Sequence, residues 1–170
     1  PRRPAGEAHQ APAVPGSVTG ARLTPWVLSS TFHAVTATRR FTSTGPGETR
    51  AIGEAIGASL APGALVLLRG PLGAGKTVLT AGIARALGVE DTIISPTYTI
   101  IADYPGRIPL THVDLYRIEG EGQLDGLGLE DLIGGPAVTV VEWGEKLDAE
   151  RARGAVRVTI CVQADGQRLV

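Results

Sequence analysis

The sequence predicts an α/β fold of three layers around a mostly parallel central sheet, and three observations support this prediction. Predicted strands and helices alternate from residue 49 onward, which favours a sheet covered by helices on both faces. Residues 64–68 (ALVLL) are an unbroken apolar run bounded by glycine, typical of a strand buried on both faces. A glycine-rich segment follows this run and opens a helix, the arrangement of a phosphate-binding loop.

Two helices flank that first buried strand. Residues 48–60 place apolar side chains on one helical stripe, which a Pro-Gly pair then ends. Residues 77–87 return to helical spacing and stop at Gly88, a residue suited to a helix C-terminus.

The remaining predicted elements are mainly strands. Residues 92–101 and 108–116 predict two further strands, and the apolar run 137–141 predicts another buried one. Residues 124–133 predict a short helix broken by two glycines. Residues 155–162 predict a last strand, along which polar side chains alternate outward.

Composition and charge limit the class of protein. The chain has 170 residues, 43% hydrophobic and 19% charged, the balance of one globular domain with its own core. A net charge of -1 gives no bulk positive field for a nucleic-acid backbone, so we expect any RNA to be reached indirectly. One cysteine, no zinc-ligand spacing and no apolar run of about eighteen residues predict a soluble cytoplasmic protein without a membrane partner.

The N-terminal segment differs from the rest of the chain. Residues 1–49 carry five arginines and six of the twelve prolines against two acidic residues. We expect a disordered basic leader over 1–44 and a folded domain over 45–170. Three interpretations of the leader stay open: an organelle transit peptide, a poorly ordered extension, or a gene start assigned too early.

The strongest functional signal is the segment 70–77, GPLGAGKT, which matches the P-loop pattern G-x-x-x-x-G-K-[ST] between a buried strand and a helix. Such glycines let successive backbone N–H groups converge on a phosphate near the positive end of the helix. Lys76 would add a charge for the β- and γ-phosphate oxygens, and the Thr77 hydroxyl would reach Mg²⁺. The motif therefore predicts a nucleotide site and the three-layer P-loop NTPase fold.

Two acidic residues stand at predicted strand ends, where a P-loop protein holds its metal. Glu142 follows the apolar run 137–141, and Asp114 closes the strand that contains His112. A carboxylate at such a position is typical of the metal side of the site, and a solvated strand-end charge is the alternative for each. We expect His112 to orient a neighbour by hydrogen bonding.

Two classes of nucleotide enzyme stay open. The chain has no asparagine, so it lacks the Asn-Lys-x-Asp element with which GTPases recognise guanine. Transporter, helicase and ring ATPases need longer cores. The alternatives are an ATPase switch that drives a partner and a small-molecule kinase that transfers the ATP γ-phosphoryl group to a metabolite. Kinases usually close an arginine-bearing lid, and only Arg107 and Arg117 lie in the middle of the fold.

Four sequence blocks together resemble the TsaE (YjeE) family, small P-loop ATPases of bacterial threonylcarbamoyladenosine synthesis on tRNA. The blocks are LRGPLGAGKT at 68–77, SPTYT at 95–99, HVDLYR at 112–117 and VEW at 141–143. The resemblance implies a P-loop ATPase domain over 45–170, with ATP and Mg²⁺ as cofactors.

The resemblance also implies a catalytic set of Lys76, Asp114 and Glu142. Mg²⁺ would be held by Thr77 and Glu142 together with Asp114, the residue beside the attacking water. The residues assigned to the triphosphate come from the loop and the first turn of the helix: Gly73, Ala74, Gly75, Lys76, Thr77 and Val78.

Three further residues are implied to contact the nucleotide. Thr97 lies in the segment 95–99, which would respond to the γ-phosphate as order-disorder switches do. Trp143 would pack near the adenine, with a place in the core as the alternative. Arg168 would match a late arginine that contacts ATP.

The resemblance finally implies the partners TsaD and TsaB, which hold the threonylcarbamoyl-adenylate and the tRNA. ATP hydrolysis, slow in the isolated chain, would reset the complex between turnovers. The tRNA would be reached only through the complex, in agreement with the near-zero net charge.

Overall fold

The computed structural model describes residues 38–170, so the predicted leader lies outside the described residues up to position 37. The strands are β1 (Thr42–Ser43), β2 (Leu65–Arg69), β3 (Ile101–Tyr104), β4 (Leu110–Asp114), β5 (Val138–Glu142), β6 (Val156–Thr159), β7 (Cys161–Val162) and β8 (Arg168–Leu169). The helices are α1 (Pro46–Gly57), α2 (Lys76–Ala86), α3 (Glu121–Asp125) and α4 (Leu129–Leu132), and a 3-10 turn spans Gly144–Lys146.

Five strands form the central sheet in the order β3-β4-β5-β2-β6. The last four are mutually parallel, and β3 runs antiparallel to β4 at one edge. The register pairs Glu142 of β5 with Leu68 of β2 on one side and with Asp114 of β4 on the other. The carboxyl ends of the three central strands therefore lie side by side. This sheet and its helices confirm the predicted α/β class.

The core is divided between the two faces of the sheet. Val66 and Leu68 of β2 join the buried cluster formed with α2, whereas Leu65 and Leu67 join the cluster formed with α3 and α4. Successive side chains of a strand point to opposite faces, so a strand covered on both faces favours apolar residues at successive positions rather than at every second one. This explains why β2 appears in the sequence as an unbroken apolar run.

Helices α1 and α2 pack together at unusually close range. A Cβ atom added to Gly82 would clash with the backbone oxygen of Arg50, and one added to Gly53 would clash with the oxygen of Leu79. The two glycines therefore let the helix backbones touch. Pro46 at the start of α1 and Glu48 in its first turn favour helix initiation there, two residues earlier than predicted.

A small antiparallel sheet of order β1-β8-β7 stands beside the central one. Phe41 and Val170 extend it, because each backbone N–H donates to the other's carbonyl at 2.8 Å. The sequence does not predict this sheet, since its strands are only two residues long. Its main consequence is that β8 brings Arg168 to the P-loop.

The predicted strand 92–101 is wrong. Residues 92–99 are irregular, and the strand in this region is β3, which begins at Ile101. Pro96 lacks an N–H donor for a sheet ladder, and the hydroxyls of Ser95 and Thr97 bond a side chain of another strand instead.

Two other predicted elements are divided in the structure. The helix expected over 124–133 is two short helices, α3 and α4, and the left-handed backbone of Gly128 (φ 63°) precedes the second. The strand expected over 155–162 breaks at Ile160, whose N–H donates to Arg69 of β2, and its two halves join different sheets. Within residues 38–170, no helix has the length and apolar character needed to cross a membrane.

Candidate nucleotide site

The candidate site lies at the carboxyl edge of the central sheet, where the P-loop joins β2 to α2. Gly70, Gly73 and Gly75 have φ of 146°, 75° and 105°, values that favour glycine. Gly75 directly precedes α2, and no side chain in the described part of the molecule caps that helix. The first N–H groups of α2 are therefore free to bind an anion at the positive end of the helix.

Lys76 opens α2 with its side chain folded back on the loop. Its Nζ donates to the carbonyl oxygens of Gly70 at 2.9 Å and Pro71 at 3.0 Å, and lies 4.0 Å from the centroid of the Trp143 ring. Only 4% of Lys76 is exposed. This burial lowers the pKa of Lys76 below its usual value, although nearby carboxylates, Glu142 first, oppose the shift. An anionic phosphate would stabilise this charge.

Thr77 and Glu142 meet across the gap between α2 and β5. The Thr77 hydroxyl donates to Oε1 of Glu142 at 2.8 Å, and the same oxygen lies 3.0 Å from Nε2 of His112. A carboxylate oxygen accepts hydrogen bonds, so Nε2 of His112 is the nitrogen that carries the proton in this contact. His112 is fully buried and thus orients Glu142, as expected from the sequence.

Asp114 is held by three donors at the end of β4. Its Oδ2 accepts hydrogen bonds from the hydroxyls of Ser95 and Thr97, both at 2.7 Å, and its Oδ1 accepts one from the N–H of Tyr116 at 2.9 Å. Asp114 is 2% exposed, whereas Ser95 is at the surface. The carboxylate therefore connects a buried strand end to an exposed loop.

The backbone of that loop is strained where it joins β3. Ile100 has φ of 68°, in the left-handed region that a β-branched residue rarely adopts. Its carbonyl accepts the N–H of Asp114 at 2.9 Å, and its own N–H donates to Pro96. Strain of this kind costs roughly 1–3 kcal/mol and persists only where other contacts hold it. Asp114 supplies such contacts through both its main chain and its side chain.

Trp143 lies between Lys76 and Tyr116 at the same edge. Its ring centroid is 5.2 Å from that of Tyr116 at a tilt of 43°, and its backbone is left-handed with φ of 60°. The ring also packs on the core cluster of α3 and α4. It thus borders the part of the P-loop that carries the lysine, and its contact with adenine stays a prediction.

Arg168 reaches the P-loop from β8. Its Nε donates to the carbonyl oxygen of Ala74 at 3.0 Å, and Nη1 lies 3.4 Å from the oxygen of Gly166. Ala74 itself is fully buried. The guanidinium therefore places positive charge beside the anion-binding backbone of the loop.

The oxygens present at this edge fit a magnesium ion bound together with a nucleotide. Mg²⁺ is bound in such sites by one or two protein oxygens, phosphate oxygens and water. Thr77 and Glu142 supply a hydroxyl and a carboxylate that already touch each other. No cluster of three or more His, Cys, Asp and Glu side chains suited to a metal occurs within residues 38–170. The protein thus offers a partial oxygen shell of the kind that a nucleotide-bound Mg²⁺ completes.

Most of the predicted site residues meet at this edge. Lys76, Thr77, Glu142 and Trp143 are linked by direct contacts, Arg168 contacts the loop, and Thr97 contacts Asp114. Val78 lies half-buried in the first turn of α2. Lys146 is not among the predicted site residues, although its half-buried side chain binds three carbonyls next to Asp114. Its only sequence signal is that the chain has just two lysines.

A P-loop between a buried parallel strand and a helix, with acidic residues at two adjacent strand ends, defines a nucleotide-binding protein of the P-loop NTPase fold. The crystal structure of YdiB from Bacillus subtilis has this fold and is similar to the chain with a TM-score of 0.66 and 32% identity, over 77% of this chain and 81% of YdiB.

Sequence comparison identifies the family within this class. The model of the family described as threonylcarbamoyl adenosine biosynthesis protein TsaE matches residues 43–170, so the chain belongs to the TsaE family. Two relatives named tRNA threonylcarbamoyladenosine biosynthesis protein TsaE are each 39% identical. The protein of Treponema pallidum aligns over 116 residues (68% of this chain, 86% of the relative), and that of Bacillus subtilis over 124 residues (72% and 77%).

A relative of the same name from Mycobacterium tuberculosis is 44% identical over 114 residues, which is 61% of this chain and 67% of the relative.

Proposed function

We propose that this chain is an ATP-binding and ATP-hydrolysing subunit required for threonylcarbamoyladenosine modification of tRNA, and that it acts as an ATP-driven switch on a TsaD–TsaB complex. The observation that carries the proposal is the hydrogen bond between Thr77 of the P-loop and Glu142, whose neighbour in the sheet, Asp114, holds an exposed loop. Family membership supports the connection to tRNA modification.

In this proposal the P-loop binds the triphosphate through its backbone and Lys76. Lys76 exchanges the carbonyls of Gly70 and Pro71 for β- and γ-phosphate oxygens, which compensate its desolvated charge better than neutral carbonyls do. Thr77 and Glu142 would hold Mg²⁺, which would supply positive charge against the charge that develops on the phosphates. His112 keeps the Glu142 carboxylate turned toward Thr77.

Asp114 is the proposed partner of the attacking water, and the loop that contacts it is the proposed switch. Ser95 and Thr97 both donate to one oxygen of Asp114. A γ-phosphate next to Asp114 would compete for these hydroxyl donors, because a phosphate oxygen accepts hydrogen bonds at least as well. The strained turn at Ile100 favours release of the loop once the hydroxyls no longer donate to Asp114. The loop would then change from an ordered to a disordered state.

The proposed partners account for a net charge close to zero. With a net charge of -1, the chain would reach tRNA through TsaD and TsaB rather than by direct electrostatic attraction to the phosphate backbone. The proposed complex acts in the cytoplasm. Trp143 and Arg168 complete the proposed nucleotide contacts, at the adenine and at the loop respectively. No arrangement in residues 38–170 favours the kinase alternative: Arg107 donates to Ala86 at the end of α2 that lies away from the P-loop, and Arg117 stacks on Tyr98.

The test is the rate of ATP hydrolysis with and without TsaD, TsaB and tRNA, with Lys76→Ala as the blank and glucose and nucleoside monophosphates as trial phosphoryl acceptors. We expect slow hydrolysis by the isolated chain, acceleration by the partners and no phosphorylated acceptor. A phosphorylated small molecule together with indifference to the partners would establish the kinase instead.

A further inference from the structure

Lys146, which the proposed nucleotide chemistry does not use, binds three backbone carbonyls with a single nitrogen. Its Nζ donates to the carbonyl oxygens of Leu115 at 2.8 Å, Tyr116 at 2.7 Å and Ile118 at 2.7 Å. An ammonium group has three N–H donors, so these contacts use all of them. The three carbonyls belong to the segment that directly follows Asp114. Lys146 therefore fixes the path of the chain just beyond a candidate catalytic carboxylate.

Lysine can serve three carbonyls from one nitrogen, and arginine cannot. Each terminal nitrogen of a guanidinium carries two hydrogens in the plane of the group, so no one of its nitrogens can donate to three converging carbonyls. The composition agrees with this geometry. Lys76 and Lys146 are the two lysines of the chain, and the other fourteen basic residues are arginine. Lys76 belongs to the P-loop motif, and Lys146 binds the three carbonyls, a group of contacts called here the Lys146 tripod.

Lys146 also continues the connection between β4 and β5 beyond the sheet. The ladder between these strands ends at the pair Asp114–Glu142, and the N–H of Leu115 then donates to the carbonyl of Glu142 at 3.2 Å. Lys146 lies four residues after Glu142, at the end of the 3-10 turn, and its side chain returns to the β4 side. The ammonium thus fixes the segments that carry the two carboxylates relative to each other.

Tyr116 transmits this restraint to the site. Its carbonyl is held by Lys146, its N–H donates to Oδ1 of Asp114 at 2.9 Å, and its ring packs on Trp143. One residue thus connects the lysine to the proposed catalytic aspartate and to the aromatic ring beside Lys76.

We propose that Lys146 is a positioning residue for ATP turnover: its ammonium holds the segment 115–118 so that Asp114 and Trp143 keep their places at the P-loop. Its role in turnover rests on the proposed function above, whereas its hold on Tyr116 and Trp143 does not. Loss of the ammonium should impair the chemical step more than ATP binding, because the P-loop itself is untouched.

The experiment compares Lys146→Met, Lys146→Arg and the exposed charge control Arg153→Met. A fourth variant carries Lys146→Cys with Cys161→Ser, so that 2-bromoethylamine converts the single thiol into a thioether analogue of lysine and restores the ammonium. All variants carry Trp26→Phe, which leaves Trp143 as the only tryptophan. Three quantities are measured below the unfolding temperature: ATP affinity, partner-stimulated turnover, and acrylamide quenching of Trp143 fluorescence without nucleotide.

We expect Lys146→Met and Lys146→Arg to lose about tenfold or more in turnover, with a much smaller loss of ATP affinity and with easier quenching of Trp143. Alkylation of the thiol in the Lys146→Cys variant should restore most of the lost rate and the original quenching. Wild-type turnover in Lys146→Arg, or unaltered quenching in Lys146→Met, would overturn the proposal.

If Lys146→Met does not fold, Lys146→Arg and the alkylated Lys146→Cys variant decide the question by the same readouts. If the unmodified protein shows no ATPase activity with its partners, the proposed function fails, and the quenching series still tests whether Lys146 positions Tyr116 and Trp143.

Discussion

Replacement of Lys76 by methionine separates its role toward phosphate from its role in the fold. Methionine keeps most of the apolar stem and removes the ammonium that now bonds Gly70 and Pro71. Hydrogen bonds to a charged group contribute about 1.5–3 kcal/mol each, and two loop carbonyls would be exchanged for two phosphate oxygens. The two phosphate contacts would together contribute about 3–6 kcal/mol, and the loss of the two carbonyl contacts offsets part of this. We therefore expect a net loss in ATP binding of about 2–4 kcal/mol, which corresponds to about thirtyfold to seven-hundredfold in Kd.

The fold itself should tolerate this change. The substitution removes a desolvated charge whose pKa is already lowered, and water can reach the exposed Pro71 carbonyl that it leaves free. We expect the free energy of unfolding, measured without nucleotide, to stay within about 1 kcal/mol of the wild-type value.

Titration calorimetry with MgATP and urea unfolding measure the two effects. Arg85→Met is the matched control, because Arg85 lies in the last turn of α2, its side chain is 73% exposed, and its ion pair with Glu54 at 3.2 Å is a surface one. The control should bind ATP as wild type does. Wild-type affinity in Lys76→Met would refute the assignment of this lysine to the phosphate.

Three further predictions concern the aspartate, the helix contact and pH. Asp114→Ala should reduce partner-stimulated kcat by about a hundredfold or more while sparing ATP binding; a lost affinity with an unchanged rate per bound ATP would show that Asp114 serves binding instead. Gly82→Ala should lower the free energy of unfolding in urea by about 1–3 kcal/mol, because its Cβ would clash with Arg50 and push α1 from α2; a stabilised variant, as expected for alanine in an open helix, would contradict the close packing. ATP affinity should be highest below the lowered pKa of Lys76 in the free protein and should decline as pH rises through that pKa, because phosphate binds the protonated lysine. Calorimetry across alkaline pH should show a smaller decline in Lys76→Met. Equal declines in the two proteins would show that deprotonation of Lys76 is not the cause.

The same pKa shift has a consequence for the nucleotide-free fold. Between the lowered native pKa of Lys76 and its unfolded value, the unfolded chain binds more protons, so the stability contributed by this residue rises with pH over that window.

The elements predicted best from the sequence are those whose residue types follow from local requirements, such as burial on both faces of the sheet. The apolar runs that became β2 and β5 and the glycine-rich turn before α2 need no information from distant residues. The segment 92–101 failed because its polar side chains bond Asp114, a partner nineteen positions away from Ser95 in the chain. The strand propensity of a segment carries no information about a contact with a residue so far along the chain.

The candidate site shows the same division. The motif placed the P-loop residues in advance, and strand-end positions placed Asp114 and Glu142 at one edge. The Lys146 tripod depends on the backbone path after β4, which residue types do not reveal. The contact between Lys76 and Trp143 also depends on the left-handed backbone at Trp143, for which the sequence carries no glycine signal.

The most direct test of the proposed ATP-driven switch is tRNA modification followed over several turnovers, with preformed threonylcarbamoyl-adenylate as the donor, so that ATP serves this chain alone. The reaction contains TsaD, TsaB, tRNA and this protein, with either ATP or a non-hydrolysable analogue. We expect the analogue to support the first turnover and ATP to be required for those that follow. Continued turnover with the analogue at the rate seen with ATP would contradict the account.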